Sequence, residues 1–175
     1  MTRALSIPTF ETERLCLREP RATDFEAFVD FFASDRSRFV GGPSSDRWAV
    51  AKAYGHMAGL WLLRGYGSHI WCLKDGTVIG HGGLWYPQTW PEPEFGWCLW
   101  DGVHEGKGYV SEAMSAIWKY AFETLNLAAV VAYIDPQNAA SISVARRLGG
   151  ILDPDAATPG GDPDLTYRFT PQVAA

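Results

Sequence analysis

The sequence is poor in the residues that several protein classes require. It has 175 residues and only three cysteines, Cys16, Cys72 and Cys98. An odd count, wide spacing and no CxxC pair argue against a disulfide framework or a zinc site and for a reducing, cytoplasmic setting. Each cysteine reads as a small buried apolar residue. No apolar run approaches the ~20 residues that span a bilayer, so no membrane partner is expected. The stretch from Met1 to Pro8 has one arginine and no long apolar core, unlike a secretory signal. Positive charge is in short supply too: Lys plus Arg is 15 against 20 Asp plus Glu, a net charge of -5. Displacing counterions from a phosphate backbone needs clustered cations, so direct nucleic-acid binding is not expected. Of the four histidines, His56, His69, His81 and His104, no two stand at metal-ligand spacing on one element, and no metal is expected. The GxSxG elbow of serine hydrolases is missing. So are the P-loop and the dinucleotide fingerprint.

What is present is the balance of one globular domain spanning 1–175: 47% hydrophobic and 20% charged. Aromatic residues reach 14%, and among eight tryptophans Trp85, Trp90, Trp97 and Trp100 lie close together. Alternation of Leu15 and Leu17 with polar neighbours predicts a first strand over 13–18. The run from Thr23 to Glu26 reads as a capping box opening a helix that carries Phe25, Phe28, Val29 and Phe32. A second helix is expected over 46–64, with Val50, Tyr54, Met57, Ala58 and Trp61 on its apolar face. A β meander follows: strands over 68–74 and 77–86 joined at Asp75-Gly76, then a strand over 94–100. In the last strand Glu94, Gly96, Cys98 and Trp100 share one face, and Phe95, Trp97 and Leu99 the other. The glycines Gly80, Gly82 and Gly83 weaken a strand unless something requires close backbone approach.

The order then changes. Val110, Ala113, Met114, Ile117 and Ala121 mark a strong amphipathic helix over 111–125, followed by a buried strand over 128–134. A strand, helix, strand unit of this length joins parallel strands. Asn138 is a plausible cap for a helix to about Leu148, ended by Gly149-Gly150, and a last strand covers 165–170. The fold class is therefore α/β (α+β), with a mixed central sheet of about six or seven strands flanked by about four helices.

The most informative stretch is His104-Glu105-Gly106-Lys107-Gly108-Tyr109-Val110. It joins a strand to a helix N-terminus, where about four backbone N–H groups lack intrahelical partners. The helix dipole adds positive potential there, and glycine lets a ligand approach the backbone. These features suit a phosphate or pyrophosphate, with Lys107 adding charge.

The run W-C-L-W-D-G-V-H-E-G-K-G-Y-V-S-E-A resembles the acyl-CoA-binding motif of the GNAT superfamily of N-acetyltransferases. The downstream D-P-Q-N-A-A-S-I-S-V-A-R-R-L-G-G is similar to that family too. The opening T-E-R-L-C-L-R-E-P resembles the branch containing the ribosomal-protein N-terminal (alanine/serine) acetyltransferases. The resemblance runs from about Thr9 to Phe169. It implies the GNAT fold and, as cosubstrate, acetyl-CoA, with no metal. Carried over by position, the motif Q/R-x-x-G-x-G/A places Glu105, Gly106, Lys107, Gly108, Tyr109 and Val110 around the CoA phosphates. Gly108 matches the motif's fixed glycine. Glu105 stands where Gln or Arg is usual, and Val110 where Gly or Ala is usual.

The reaction so implied is direct acyl transfer from a thioester to an amine. It needs a base, Glu94 in E-F-G-W, with Glu92 as a rival between prolines. It needs N–H groups for the developing oxyanion along the pantetheine arm, for which Cys98, Leu99 and Trp100 are the matching positions. It needs an acid near the leaving thiolate. Where many relatives have Tyr, this chain has Ala145, and Ser141 is the alternative; Asn138 would contact the pantetheine amides. His81, Trp85 and Trp90 are expected at the acceptor. The resemblance implies an N-acetyltransferase acting on a protein N-terminus or a small-molecule amine, as a monomer or homodimer. The alternative is a non-catalytic acyl-CoA-binding or sensing module on the same fold. A third reading is an α/β interaction domain that uses the Trp-rich patch.

Overall fold

The computed structural model describes residues 6–171, so the stretch Met1 to Pro8 falls mostly outside it. Two short pieces, β1 (Phe10–Glu11) and β2 (Leu15–Arg18), open the fold. Leu15 and Leu17 point into the core and are fully buried, while Cys16 and Arg18 face the other way. Arg18 grips Asp24 through both guanidinium ends at 2.8 and 2.7 Å, and the same carboxylate accepts the Arg21 N–H. The helix α1 (Phe25–Ala33) is thus started by Asp24, through a short 3-10 turn, rather than by the Thr23 box. A buried carboxylate with an arginine partner outcompetes an exposed hydroxyl, and removing one partner of such a pair costs about 3–5 kcal/mol.

Helix α2 (Arg47–Arg64) is capped by Asp46, whose side chain accepts the N–H groups of Trp48 and Ala49. Val50, Met57, Leu60 and Trp61 are its buried residues, with Tyr54 half-buried. The meander is β3 (Ser68–Leu73), β4 (Val78–Trp85) and β5 (Glu94–Leu99). Helix α3 (Tyr109–Lys119) runs on through a π turn to Thr124, together covering the expected long helix. Then come β6 (Val130–Ile134), α4 (Ala139–Arg147), β7 (Ile151–Leu152) and β8 (Leu165–Phe169).

Among the described residues eight strands form one sheet, in the order β1-β2-β3-β4-β5-β6-β8-β7. The expected six or seven strands become eight because β1 and β7, of two residues each, are too short to show a period. Every pairing is antiparallel except β5 with β6. Strand alternation makes two cores. Leu15, Trp71, Leu84, Phe95 and Phe169 pack with Met114 and Ile117 of α3. Ile70, Cys72 and Trp100 pack with Phe28 and Phe31 of α1 and Met57 of α2.

The glycines of β4 have a packing cause. A Cβ on Gly80 would stand 2.2 Å from the Cys98 carbonyl oxygen, and one on Gly82 would stand 2.4 Å from the Trp71 ring. Among the described residues no helix is long and apolar enough to cross a membrane. Nor does any group of three or more His, Cys, Asp or Glu among them stand where it could hold a metal ion.

Candidate active site

The β5 and β6 strands meet at one point and then part. Glu94 stands opposite Val131, whose N–H donates to the Pro93 carbonyl at 2.9 Å, and no further register pair follows. Beyond it lies a cleft of about 600 Å³ between β5, the 105–110 loop and α4. The Trp100 N–H donates to the Ile79 carbonyl at 2.9 Å. Antiparallel ladders alternate, so the backbone groups of Cys98 and Gly96 also turn toward β4, while those of Trp97 and Leu99 turn into the parting. Of the three backbone positions read from sequence, only Leu99 therefore offers an N–H to the cleft. Trp97 is a second one that the sequence reading did not include. The Leu99 carbonyl is held by Arg36, at 3.2 Å from both its Nε and Nη2.

Arg36 also explains the acidic residue in the loop. Glu105 is 60% exposed and pairs with the Arg36 guanidinium at 2.6 Å. Its carboxylate is thereby neutralised and drawn aside. Gly106 and Gly108 have φ of 70° and 81°, the left-handed region that favours glycine. Gly108 is the residue before α3. The first internal bond of that helix is Glu112 N–H to the Gly108 carbonyl at 3.0 Å. The N–H groups of Gly108, Tyr109, Val110 and Ser111 have no partner among the described residues. They therefore fit a group bearing several anionic oxygens, which the dipole of α3 also favours. Lys107 is exposed, and Tyr109 and Val110 are half-buried.

On the other face of β5 stands Glu94. Burial pushes its carboxyl up to about 8, against the Trp90 indole and the Tyr133 backbone amide, which favour the ionised form. Trp90 Nε1–H donates to Glu94 Oε2 at 2.7 Å. Trp85 stands directly across the ladder from Glu94, and its ring meets Trp90 edge-on at 6.4 Å. Gly96 lies on the same face, and a Cβ built there would touch nothing within 4 Å. An open notch therefore lies beside Glu94. His81 and Cys98 are the next pair along that face. His81 Nδ1 accepts the Trp100 indole N–H at 2.8 Å. Burial lowers the imidazole to about 4, so it is neutral at pH 7. Burial likewise raises the Cys98 thiol to about 12, which removes it as a nucleophile near neutrality.

The rival carboxylate, Glu92, is taken up by a bidentate bond from Arg168 at 2.6 and 2.8 Å. That bond holds its carboxyl below the ordinary range. Ser141 and Asn138 face the opposite wall of the cleft. The Asn138 side chain caps α4 by accepting the Ser141 N–H at 3.1 Å. Ser141 Oγ accepts the Trp97 indole N–H at 3.2 Å, so its own proton remains free to be donated. Arg36 and the Trp97 indole were not foreseen. Arg36 sits in a three-residue 3-10 turn (Asp35–Ser37), too short to show a period, and strand alternation assigns Trp97 only to the core face.

The site is thus a sheet opened between two parallel strands, above a turn at a helix N-terminus whose free N–H groups suit an anion. The acetyltransferase (GNAT) domain family matches residues 14–151. The chain is 44% identical to the acetyltransferase from Agrobacterium tumefaciens strain C58, whose crystal structure superposes with a TM-score of 0.88 over 97% of this chain and 98% of that one. The aminoglycoside acetyltransferase AAC(6')-Ib, solved in complex with coenzyme A, shares the fold at 16% identity, with a TM-score of 0.75 over 90% of this chain and 95% of that one. YkkB of Bacillus subtilis (strain 168) is 34% identical over 91 residues, 49% of this chain, and this segment spans about half (52%) of YkkB. The chain belongs to the GNAT acetyltransferase family.

Proposed function

We propose that the protein transfers the acetyl group of acetyl-CoA directly to a primary amine, on a protein N-terminus or a small molecule. The single observation that carries this reading is the placement of Glu94. A half-buried carboxyl pushed up to about 8 stands beside an open notch at the point where β5 and β6 part. A general base works best when its pKa lies near the working pH.

The roles divide between the two faces of β5. The free N–H groups of Gly108 to Ser111 bind the pyrophosphate, and Asn138 and the parted backbone hold the pantetheine arm. The Leu99 N–H, with its carbonyl fixed by Arg36, is the group that meets the thioester oxygen. Acetyl-CoA supplies the activated acyl group. From the other face the amine enters through the notch at Gly96, beside Trp85 and Trp90, displaces the Trp90 N–H from Glu94 and gives its proton to the carboxylate. His81 lines that path as a neutral ring. Ser141 hydrogen-bonds the departing thiolate through its free O–H, and the sulfur takes its proton from solvent. Because a hydroxyl is a weak acid, Ser141→Ala is expected to lower kcat by only about 3–30-fold, below the full value of general acid catalysis. Steady-state rates at saturating acetyl-CoA check this, and an unchanged kcat would remove the role.

Turnover itself is tested by incubating the protein with acetyl-CoA and a panel of amines while following free thiol. Release that depends on the amine supports transfer. Binding of CoA without release on any amine supports the non-catalytic sensing module, which the absence of a tyrosine at Ala145 keeps in play.

A further inference from the structure

We propose that Arg14 is a positioning residue for the phosphate-binding turn, locking one peptide of the loop from behind. The inference rests on the CoA reading above and deepens it.

Arg14 lies just ahead of β2, far from the loop in sequence. Its Nη1–H donates to the Lys107 carbonyl at 2.9 Å. Its Nε–H donates to Glu112 Oε2 at 2.7 Å, with Nη2 2.6 Å from the same oxygen. Its guanidinium also lies 4.7 Å from the centre of the Tyr109 ring. Glu112, in the first turn of α3, completes the clasp. Its Oε1 accepts the Thr12 hydroxyl at 2.6 Å and the Arg14 backbone N–H at 2.8 Å. One arginine therefore touches the carbonyl before Gly108, the ring of Tyr109 and the carboxylate of Glu112.

The consequence follows from peptide geometry. A trans peptide is planar, and its C=O and N–H point in opposite directions. Fixing the Lys107 carbonyl on the Arg14 side therefore fixes the Gly108 N–H on the opposite side. Gly108, at φ of 81°, has no Cβ to restrict the turn. Left unheld, a flanking Gly106–Lys107–Gly108 segment samples many conformations, and ordering it on binding would subtract from affinity. Arg14 orders it beforehand. The clasp also neutralises Glu112, which would otherwise stand as a bare carboxylate close to the phosphates.

The test compares two ligands on the folded protein: CoA, and pantetheine, which has the same arm without the pyrophosphate. Dissociation constants are measured by calorimetry for CoA and by competition for pantetheine. Arg14→Met and Glu112→Gln are each compared with wild type. Arg14→Met is expected to weaken CoA about 10–30-fold and to leave pantetheine within about twofold, with Glu112→Gln moving the same way by less. A CoA constant unchanged in both variants overturns the proposal, and so does an equal loss for CoA and pantetheine, because a merely structural staple would loosen the whole cleft. Should Arg14→Met fail to fold, the decision passes to Glu112→Gln, whose thermal melt is recorded alongside. Failure of the wild type to bind CoA at all overturns this proposal together with the reading beneath it. Wild-type binding with unaffected variants overturns this one alone.

Discussion

Glu94→Gln is expected to lower kcat by about 10²–10⁴-fold at saturating acetyl-CoA and amine, the usual worth of a positioned general base. CoA affinity should stay within about twofold, because Glu94 lies on the face of β5 proposed for the amine. The wild-type rate should rise with pH and level off above about 8, where the half-buried carboxyl has lost its proton. The residual rate of the variant should lack that inflection. A Glu94→Gln enzyme with full turnover, or with the same inflection, would move the base elsewhere.

The same burial has a stability consequence of definite sign. An ordinary glutamate ionises at about 4.3 in an unfolded chain, against about 8 in this fold. Between those values the unfolded state holds fewer protons, so the contribution of Glu94 to stability is full below the lower value and is lost as pH rises through the upper one. Glutamine keeps the shape without the charge. The variant should thus match or exceed the wild-type melting temperature at pH 9 and lose that advantage at pH 5. Losing activity while gaining stability at high pH separates a catalytic role from a packing role, which predicts both to fall.

Gly96→Leu is expected to lower kcat/KM for the amine by more than about 100-fold while leaving CoA binding and the fold intact. The argument is one of space. A Cβ at Gly96 meets nothing within 4 Å, so the added side chain enters without clash. It then fills the notch beside Glu94 that is the proposed amine path. A misplacement of about 1 Å in reacting geometry can cost about 10²-fold, and outright blockage costs more. A strand also accepts a side chain in place of glycine readily. Amine saturation curves with CoA calorimetry on the same preparation decide the matter. An unchanged KM and kcat would place the acceptor path elsewhere on the sheet.

Much of the fold was legible in the sequence because the signals were periodic. The alternation through Leu15 and Leu17 marked a strand, and the Val110 to Ala121 spacing marked the long helix. Glycines at 106 and 108 announced a turn whose φ values of 70° and 81° confirm their use. Where periodicity was absent, reading failed. The two-residue strands β1 and β7 carry no pattern. The start of α1 was assigned to Thr23, whereas Asp24 starts it, because only the folded chain brings Arg18 to that carboxylate. Glu105 stands where Gln or Arg is usual, and its spacing does not say where its carboxylate turns. It faces Arg36, a residue 69 positions away.

By itself the sequence determined which face of each strand is apolar, where glycine permits close backbone approach, and which residue types capable of acid, base and anion chemistry lie near one another in the chain. These are local properties, governed by side-chain period and backbone sterics. Tertiary structure alone decided their chemistry. It parted β5 from β6, turned the Leu99 and Trp97 amides into the gap, paired Glu92 with Arg168, and set Glu94 half-buried against Trp90. A carboxyl's proton affinity depends on the dielectric and dipoles that surround it, and a backbone N–H is available only if no neighbouring strand has claimed it. Both are set by what distant segments bring, which no local spacing encodes.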